Sequence, residues 1–358
     1  MSADSVTSAD SAEGFFRTVQ GDVPVGEIGH VQPHEHLFID LGNTAVQQGT
    51  VLASDEEIHL GNYYETRRHH SAYSVVMDSV EVAVQEVREY REFGGDAIVD
   101  PTSIGLSRNP EGLEHVSRQT GVHIVMGCGY YYRDYQPPGV GEKSAREIAA
   151  EIVHDIGVGV GERRIRAGVI GEIGLSSPLD PQEAIVLEGA VYAQRETGAA
   201  LMIHPGRDGA APAEALDVVT SLGGDLGRVV MSHIDRTLFE VDAMADLASS
   251  GCYLAFDLFG QESSYYPYGP IDMPNDATRV DYLIELIRRG YGRQLLVAQD
   301  ICKKAFLRTY GGEGYGHVLR NVIPLMRRKG MTDEQVEMIT RENPKRAIAL
   351  APGAAGTG

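Results

Sequence analysis

Residues 168–204 read GVIGEIGLSSPLDPQEAIVLEGAVYAQRETGAALMIH, and the fold follows from how this stretch is punctuated. Two short apolar runs, Gly168 to Glu172 and Ala200 to His204, bracket a segment in which Leu187, Ala190, Val191 and Gln194 recur at the spacing of one helix face. Gly198 stands where a helix-ending residue belongs. Runs that are apolar without alternation suit strands covered on both faces, which is the habit of parallel sheets. The stretch therefore reads as strand, crossover helix, parallel strand. Each strand ends on a residue able to bind metal, Glu172 and His204.

The same pattern extends in both directions. Candidate strands lie near His30 to Gln32, Ala97 to Asp100, His123 to Gly127, Gly168 to Glu172, Ala200 to His204, Val229 to His233, Cys252 to Asp257 and Leu295 to Asp300. Val80, Ala83, Val84 and Val87 mark another helix face, and Gly94 and Gly223 are further helix-ending positions. Eight such units close more naturally into a (β/α)8 TIM barrel of the α/β class than into an open sheet. The long gap from Leu41 to Ser74 reads as an insertion over one barrel end. No internal repeat and no Pro/Gly-rich linker divides the chain, so residues 14–350 are expected to form one domain. The small, polar residues 1–13 and the APGAAGTG of 351–358 are expected to be flexible tails.

Composition narrows the function classes. Apolar residues are 42% and charged residues 23%, ordinary for a soluble globular protein. There is no apolar run of bilayer length and no signal-like N-terminus. Three cysteines, Cys128, Cys252 and Cys302, cannot all pair and do not make a disulfide framework, which suits a reducing compartment, with the cytoplasm as the default. A net charge of −20 repels phosphate backbones, so a small molecule is the expected partner rather than nucleic acid or a membrane.

The chemistry gathers at strand ends. In PHEHLFID, His34 and His36 are two residues apart, and residues i and i+2 of a strand share a face. Alone, the motif fits two ordinary loop histidines as well as a metal site. Four further ligand-type residues, Glu172, His204, His233 and Asp300, each close a separate candidate strand. In a parallel barrel these C-terminal ends converge on one mouth. A strand-end histidine is often only hydrogen-bonded, and a strand-end aspartate often caps a helix. Six residues in these positions favour a metal centre. Structural zinc prefers closed, cysteine-rich tetrahedra, and no cysteine belongs to this set.

From Thr18 to Leu350 the chain resembles the phosphotriesterase-related branch of the amidohydrolase superfamily. TVQGDVPVGEIGHVQPHEHLF, VDPTSIGLSRNP, RAGVIGEIG, ETGAALMIHPGR, SHIDRT, AQDICKK, YGGEGYGHVLRNVIPLM and ENPKRAIAL look like that family's blocks in order. The resemblance implies two divalent cations, zinc first, with manganese, cobalt and iron also suited to imidazole and carboxylate ligands. His34, His36 and Asp300 would hold the more buried ion and His204 and His233 the more exposed one. GEIG is similar to the subgroup in which a glutamate, here Glu172, replaces a carboxylated lysine as the bridge. That subgroup includes the phosphotriesterase homology and resiniferatoxin-binding-type proteins. A glutamate is shorter, so a bulge near Gly171 would bring the backbone closer. The alternative is a mononuclear site with Glu172 outside it.

The implied activity is a binuclear metal-dependent hydrolase in which a metal-bridging hydroxide attacks an ester or lactone carbonyl and Asp300 shuttles the proton. Phosphotriesterase turnover would be a promiscuous side activity. Two alternatives stay open: an amidohydrolase of N-acyl amino acid-type conjugates, and a low-turnover ligand-binding protein. A homodimer is a family-level expectation. For substrate contacts, Tyr131 in GCGYYYRDYQPP resembles a lactonase tyrosine, and Tyr265 and Tyr266 in FDLFGQESSYYP are placed to wall the pocket. Arg207, Lys303 and Lys304 follow ligand positions and could bind an anionic group. Leu258 stands where acyl-homoserine lactonases usually carry arginine, and Gln261 where many glutamate-type relatives carry a phosphate-holding lysine. Both departures weaken those two substrate assignments. Asp235, after His233, is placed either to orient an imidazole or to cap a helix.

Overall fold

Eight short parallel strands carry the architecture of the computed structural model, which describes residues 14–263, 266 and 268–351. They are β1 (His30–Gln32), β2 (Gly95–Asp100), β3 (His123–Cys128), β4 (Val169–Gly174), β5 (Ala200–His204), β6 (Val229–Met231), β7 (Tyr253–Phe256) and β8 (Leu295–Val297). Each pairs in parallel with the next, in chain order. The strand ladder stops between β8 and β1. Two main-chain bonds just beyond the strands close that seam, Asp300 N to His34 O at 3.2 Å and His36 N to Ile301 O at 3.3 Å. The result is the expected TIM barrel.

Side-chain alternation divides the core in two. Val31, Ala97, Val99, Val125, Val169, Ala200, Met202, Val230, Ala255 and Leu296 point inward and fill the barrel. Their sequence neighbours, such as Ile98, Ile124, Ile170, Leu201, Met231, Leu254 and Val297, face the surrounding helices. An antiparallel hairpin, Phe15–Thr18 with Gly21–Pro24, lay outside the sequence expectation. Its Phe16, with Val25 and Ile28 just after it, packs with Ile348 beneath the barrel interior. The N-terminal end is therefore plugged with apolar side chains, and only the C-terminal mouth is left for chemistry.

The helices form where spacing and caps place them. Helix α1 (Val80–Glu92) starts at Ser79, whose hydroxyl accepts from Val82 N, and buries Ala83 and Val87. Helix α2 (Pro181–Thr197) starts at Asp180, buries Val186, Leu187, Ala190, Val191 and Gln194, and ends at Gly198 with φ 68°. The Leu41 to Ser74 segment carries two short helices, Gly42–Gln47 and Tyr63–His69, the second packed against the segment after β8. The tails expected at 1–13 and 351–358 lie outside the described residues, apart from Ala351. No described helix is long and apolar enough to cross a membrane.

Candidate metal centre and substrate pocket

Strand parity alone delivers only part of the site. Inward positions alternate, so β5, with Ala200 and Met202 inside, places His204 inside, and β7, with Tyr253 and Ala255 inside, places Asp257 inside. On β4 the same count would turn Glu172 outward, because Val169 is inside and Ile170 outside. A bulge corrects it. Ile170 pairs with Leu201 and Ile173 with Ile203, so three steps on β4 face two on β5. The additional residue turns Glu172 into the lumen. Gly171 makes this bend at φ 119°, and a Cβ there would lie 2.4 Å from Met202 O.

His233 and Asp300 do not end strands as expected, since β6 stops at Met231 and β8 at Val297. Both residues adopt left-handed backbone, φ 56° and 47°, which breaks the ladder and re-aims the side chain. His34 and His36 likewise lie beyond β1, which ends at Gln32. They converge all the same. His34 Nε2 is 3.5 Å from Glu172 Oε1, and His36 Nε2 is 3.1 Å from Asp300 Oδ1. Glu172 Oε1 is also 2.8 Å from His233 Nε2 and 3.2 Å from His204 Nδ1.

Hydrogen bonds set the tautomers. Thr102 donates its hydroxyl to Phe38 O at 3.1 Å, so it must accept from His36 Nδ1–H at 2.7 Å. That leaves His36 Nε2 to face the cluster, 3.1 Å from Asp300 Oδ1. Asp257 does the same for two rings: Oδ2 accepts from His34 Nδ1 at 2.8 Å and Oδ1 from His233 Nδ1 at 2.9 Å. His34 Nε2 is buried with no hydrogen-bond partner among the described residues. An orphaned nitrogen aimed at carboxylates is what a cation ligand looks like, and the groups His34–His36–Glu172 and Glu172–His204–His233 each lie within 4.8 Å. These donors fit divalent metal, with histidines oriented by carboxylate and hydroxyl partners.

Charge follows the same geometry. Burial opposes protonation of His34, but the Glu172, Asp257 and Asp300 carboxylates outweigh it and raise its pKa to about 9. Burial likewise opposes protonation of His233, and Asp257 and Glu172 raise it well above the usual value. His204 is held well below the ordinary histidine value, chiefly by burial. A cation entering below pH 9 must displace the proton on His34. Metal affinity of the metal-free protein should therefore rise with pH up to about 9, by about tenfold per pH unit for each displaced proton. Competition against a chromophoric chelator between pH 6 and 9 measures this, and a flat profile would contradict it.

Over the cluster lies an inner chamber of about 60 Å³ lined by Tyr131, His204, Arg207, His233, Arg236, Tyr266, Asp300 and Lys303, among others. It adjoins an outer vestibule of about 340 Å³ walled by Tyr63, Tyr64, Arg67, Arg68, His70 and Phe306, so the Leu41 to Ser74 insertion builds the mouth. Gln261, Tyr266 and Lys303 line both spaces. Arg236 and Lys303 are buried, and Arg207 reaches in from the exposed rim. Arg236 donates to His204 Nε2 at 3.1 Å and Pro205 O at 3.2 Å, and Arg207 donates to Tyr266 Oη at 3.2 Å. Burial opposes ionisation of Tyr266, yet Arg236, Arg207 and Lys303 outweigh it and bring its pKa below the ordinary tyrosine value.

A profile of the phosphotriesterase family matches residues 14–348. The chain belongs to that family. It is 37% identical over 341 residues to a phosphotriesterase-related protein of Nematostella vectensis, covering 93% of this chain and 97% of that one. It is 36% identical over 343 residues to an N-acetyltaurine hydrolase of Danio rerio, covering 94% and 98%. Among solved structures it is similar to a resiniferatoxin-binding protein from Rhodobacter sphaeroides, with a TM-score of 0.88 and 32% identity over 97% of this chain and 98% of that one. This phosphotriesterase-family chain is accordingly a metal-dependent hydrolase of small molecules.

In this family member the six residues singled out by sequence, His34, His36, Glu172, His204, His233 and Asp300, meet in one cluster. Tyr131, Tyr266, Arg207 and Lys303 line the chamber. Tyr265 lies outside the described residues. Lys304 does not reach the chamber: its Nζ sits 3.7 Å over the Tyr73 ring. Asp235 does not orient an imidazole among the described contacts; it pairs with buried Arg279 at 2.6 Å. Asp257 takes the orienting role. Sequence reasoning passed over Asp257, Thr102 and Arg236, although the strand-end position of Asp257 matched that of the residues it did select.

Proposed function

We propose that this protein is a binuclear metal-dependent hydrolase that cleaves the amide bond of N-acyl conjugates whose amine part carries a fixed negative charge, such as a sulfonate or carboxylate. One observation carries the reading. Arg207, Arg236 and Lys303 line the same chamber as His204, His233 and Asp300, and none is ion-paired to a carboxylate among the described residues. Cations as buried as Arg236 and Lys303 are costly without a carboxylate partner, and an anionic ligand offsets that cost. Relatives named N-acetyltaurine hydrolase agree with it, since their named substrate is an amide bearing a sulfonate.

His34, His36 and Asp300 would hold one cation and His204 and His233 the other, with Glu172 between them and zinc the first candidate. When bound, the cations acidify a coordinated water and polarise the scissile carbonyl. Asp300 accepts the proton of the attacking water and passes it to the leaving nitrogen. Tyr131, with its hydroxyl 3.1 Å from His204 Nδ1, lines the acyl side, and Arg207, Arg236 and Lys303 fix the anionic end. Ester or lactone hydrolysis, first in the sequence expectation, is the second reading. The position of Tyr131 beside His204 favours it.

The test is a metal-replete assay of N-acetyltaurine, its uncharged analogue N-acetylethanolamine, lactones and a phosphotriester. The charged amide should exceed the uncharged one by about 10²-fold in kcat/KM, the worth of one or two charge-assisted hydrogen bonds. Lys303→Met should lower kcat/KM for the charged amide about 10-fold or more and leave the uncharged one nearly unchanged. Equal turnover of both amides, or a clear preference for lactones, would overturn the amide reading.

A further inference from the structure

Gln299, Asp300 and Ile301 cross the seam between β8 and β1, where strand pairing has ended. Asp300 is left-handed there, a conformation uncommon for residues other than glycine and one its surroundings must hold. All six main-chain polar groups of the three residues have partners. Gln299 N donates to Glu35 Oε1 at 2.8 Å and Ile301 N to Glu35 Oε2 at 2.9 Å. Asp300 N donates to His34 O, and Ile301 O accepts from His36 N. Gln261 Nε2 donates to both remaining carbonyls, Gln299 O at 2.7 Å and Asp300 O at 3.0 Å.

We propose that Glu35 and Gln261 are positioning residues that clamp the backbone on either side of Asp300 and so fix its carboxylate against His36. Neither touches the reacting atoms in this role. Glu35 is fully buried between the two histidines of the HxH motif, so one side chain ties the backbone carrying Asp300 to the backbone carrying His34 and His36. Gln261 is itself anchored. Its main-chain carbonyl accepts from Arg279 Nη2 at 3.0 Å, and the preceding Gly260 N donates to Asp276 Oδ1 at 2.9 Å. Arg279 is in turn paired with Asp276 at 3.0 Å and with Asp235 at 2.6 Å. The chain of contacts runs from a buried ion network through one amide to the metal-site aspartate.

The inference rests on the proposed role of Asp300, and the test separates the two. Gln261→Met keeps length and loses the donor, whereas Gln261→Lys restores a donor able to reach both carbonyls. Each is loaded with Co(II), and three quantities are read: the visible absorption spectrum, the rate of cobalt loss to EDTA, and kcat and KM on any substrate the wild type turns over. Gln261→Met should shift the cobalt bands, lose metal at least 10-fold faster and lower kcat 10- to 100-fold, with KM within 3-fold. Gln261→Lys should recover the rate of metal loss to within 3-fold of wild type.

A Gln261→Met protein with wild-type spectrum, metal retention and kcat overturns the clamp even if N-acyl conjugates are turned over. Equal impairment of both variants with equal falls in Tm also overturns it, as a packing effect. If N-acyl conjugates are not substrates but the cobalt readouts respond as stated, the substrate reading fails and the clamp stands. Glu35→Gln, which keeps one acceptor oxygen, should show the same cobalt shift; if it folds and shows none, the Glu35 half of the clamp is overturned.

Discussion

Asp300→Asn is expected to lower kcat by about 10³-fold with the barrel intact, because under the proposed amide hydrolysis it removes the carboxylate assigned to take the proton of the attacking water and pass it to the leaving nitrogen. Asparagine keeps the size of the side chain and one oxygen. It cannot take the proton. In the structure Asp300 Oδ1 lies 3.1 Å from His36 Nε2 and Oδ2 3.9 Å from His233 Nδ1, so the carboxylate spans both sides of the cluster. Its side chain is 14% exposed, more than Glu172 at 3%, and it lines the inner chamber. Metal content must be measured beside kcat at saturating metal, because asparagine is also the weaker ligand. Wild-type turnover by a fully loaded Asp300→Asn protein would remove the proton role.

Gly171→Ala is expected to abolish turnover and bound metal together, for a reason that lies in the backbone. A Cβ at 171 would sit 2.4 Å from Met202 O on the neighbouring strand, and φ 119° is a conformation that L side chains rarely adopt. The strain and the overlap together destabilise the native bulge by about 3 kcal/mol or more. The chain relieves this by straightening β4, and a straight β4 returns Glu172 to the helix-facing side. Without Glu172 between them, His34, His204 and His233 lose the carboxylate they share. Elemental analysis and thermal melting check the prediction. An alanine variant with full metal and a wild-type Tm would show that the bulge is not what turns Glu172 inward.

The two substitutions mark where reading the sequence succeeds and where it stops. His204 was legible: ALMIH is apolar on both faces, and parity carries its last residue into the lumen. Asp257 had the same signal, at the end of YLAFD, yet strand-end position alone could not show that one carboxylate holds two rings, His34 and His233, from just past β1 and β6. Arg236 gave no local sign, since SHIDRT does not reveal that the guanidinium folds back on His204. Glu35, between two histidines that face the cluster, turns the other way and accepts from Gln299 N and Ile301 N. Its place at the barrel seam depends on Gln299 and Ile301, just past β8 and 264 and 266 residues later.

The sequence by itself determined the eight βα units, the barrel they close into and the six ligand-type residues to watch, because apolar periodicity and a histidine or carboxylate at or just past an apolar run are properties of the local chain. Only the tertiary structure decided how those residues face one another. The β4 bulge, the left-handed turns at His233 and Asp300, the Asp257 bridge and the cation-lined chamber all arise from contacts between segments far apart in the chain. Such contacts leave no periodic trace, since each partner reads locally as an ordinary glycine, aspartate or arginine until the barrel brings the pair together.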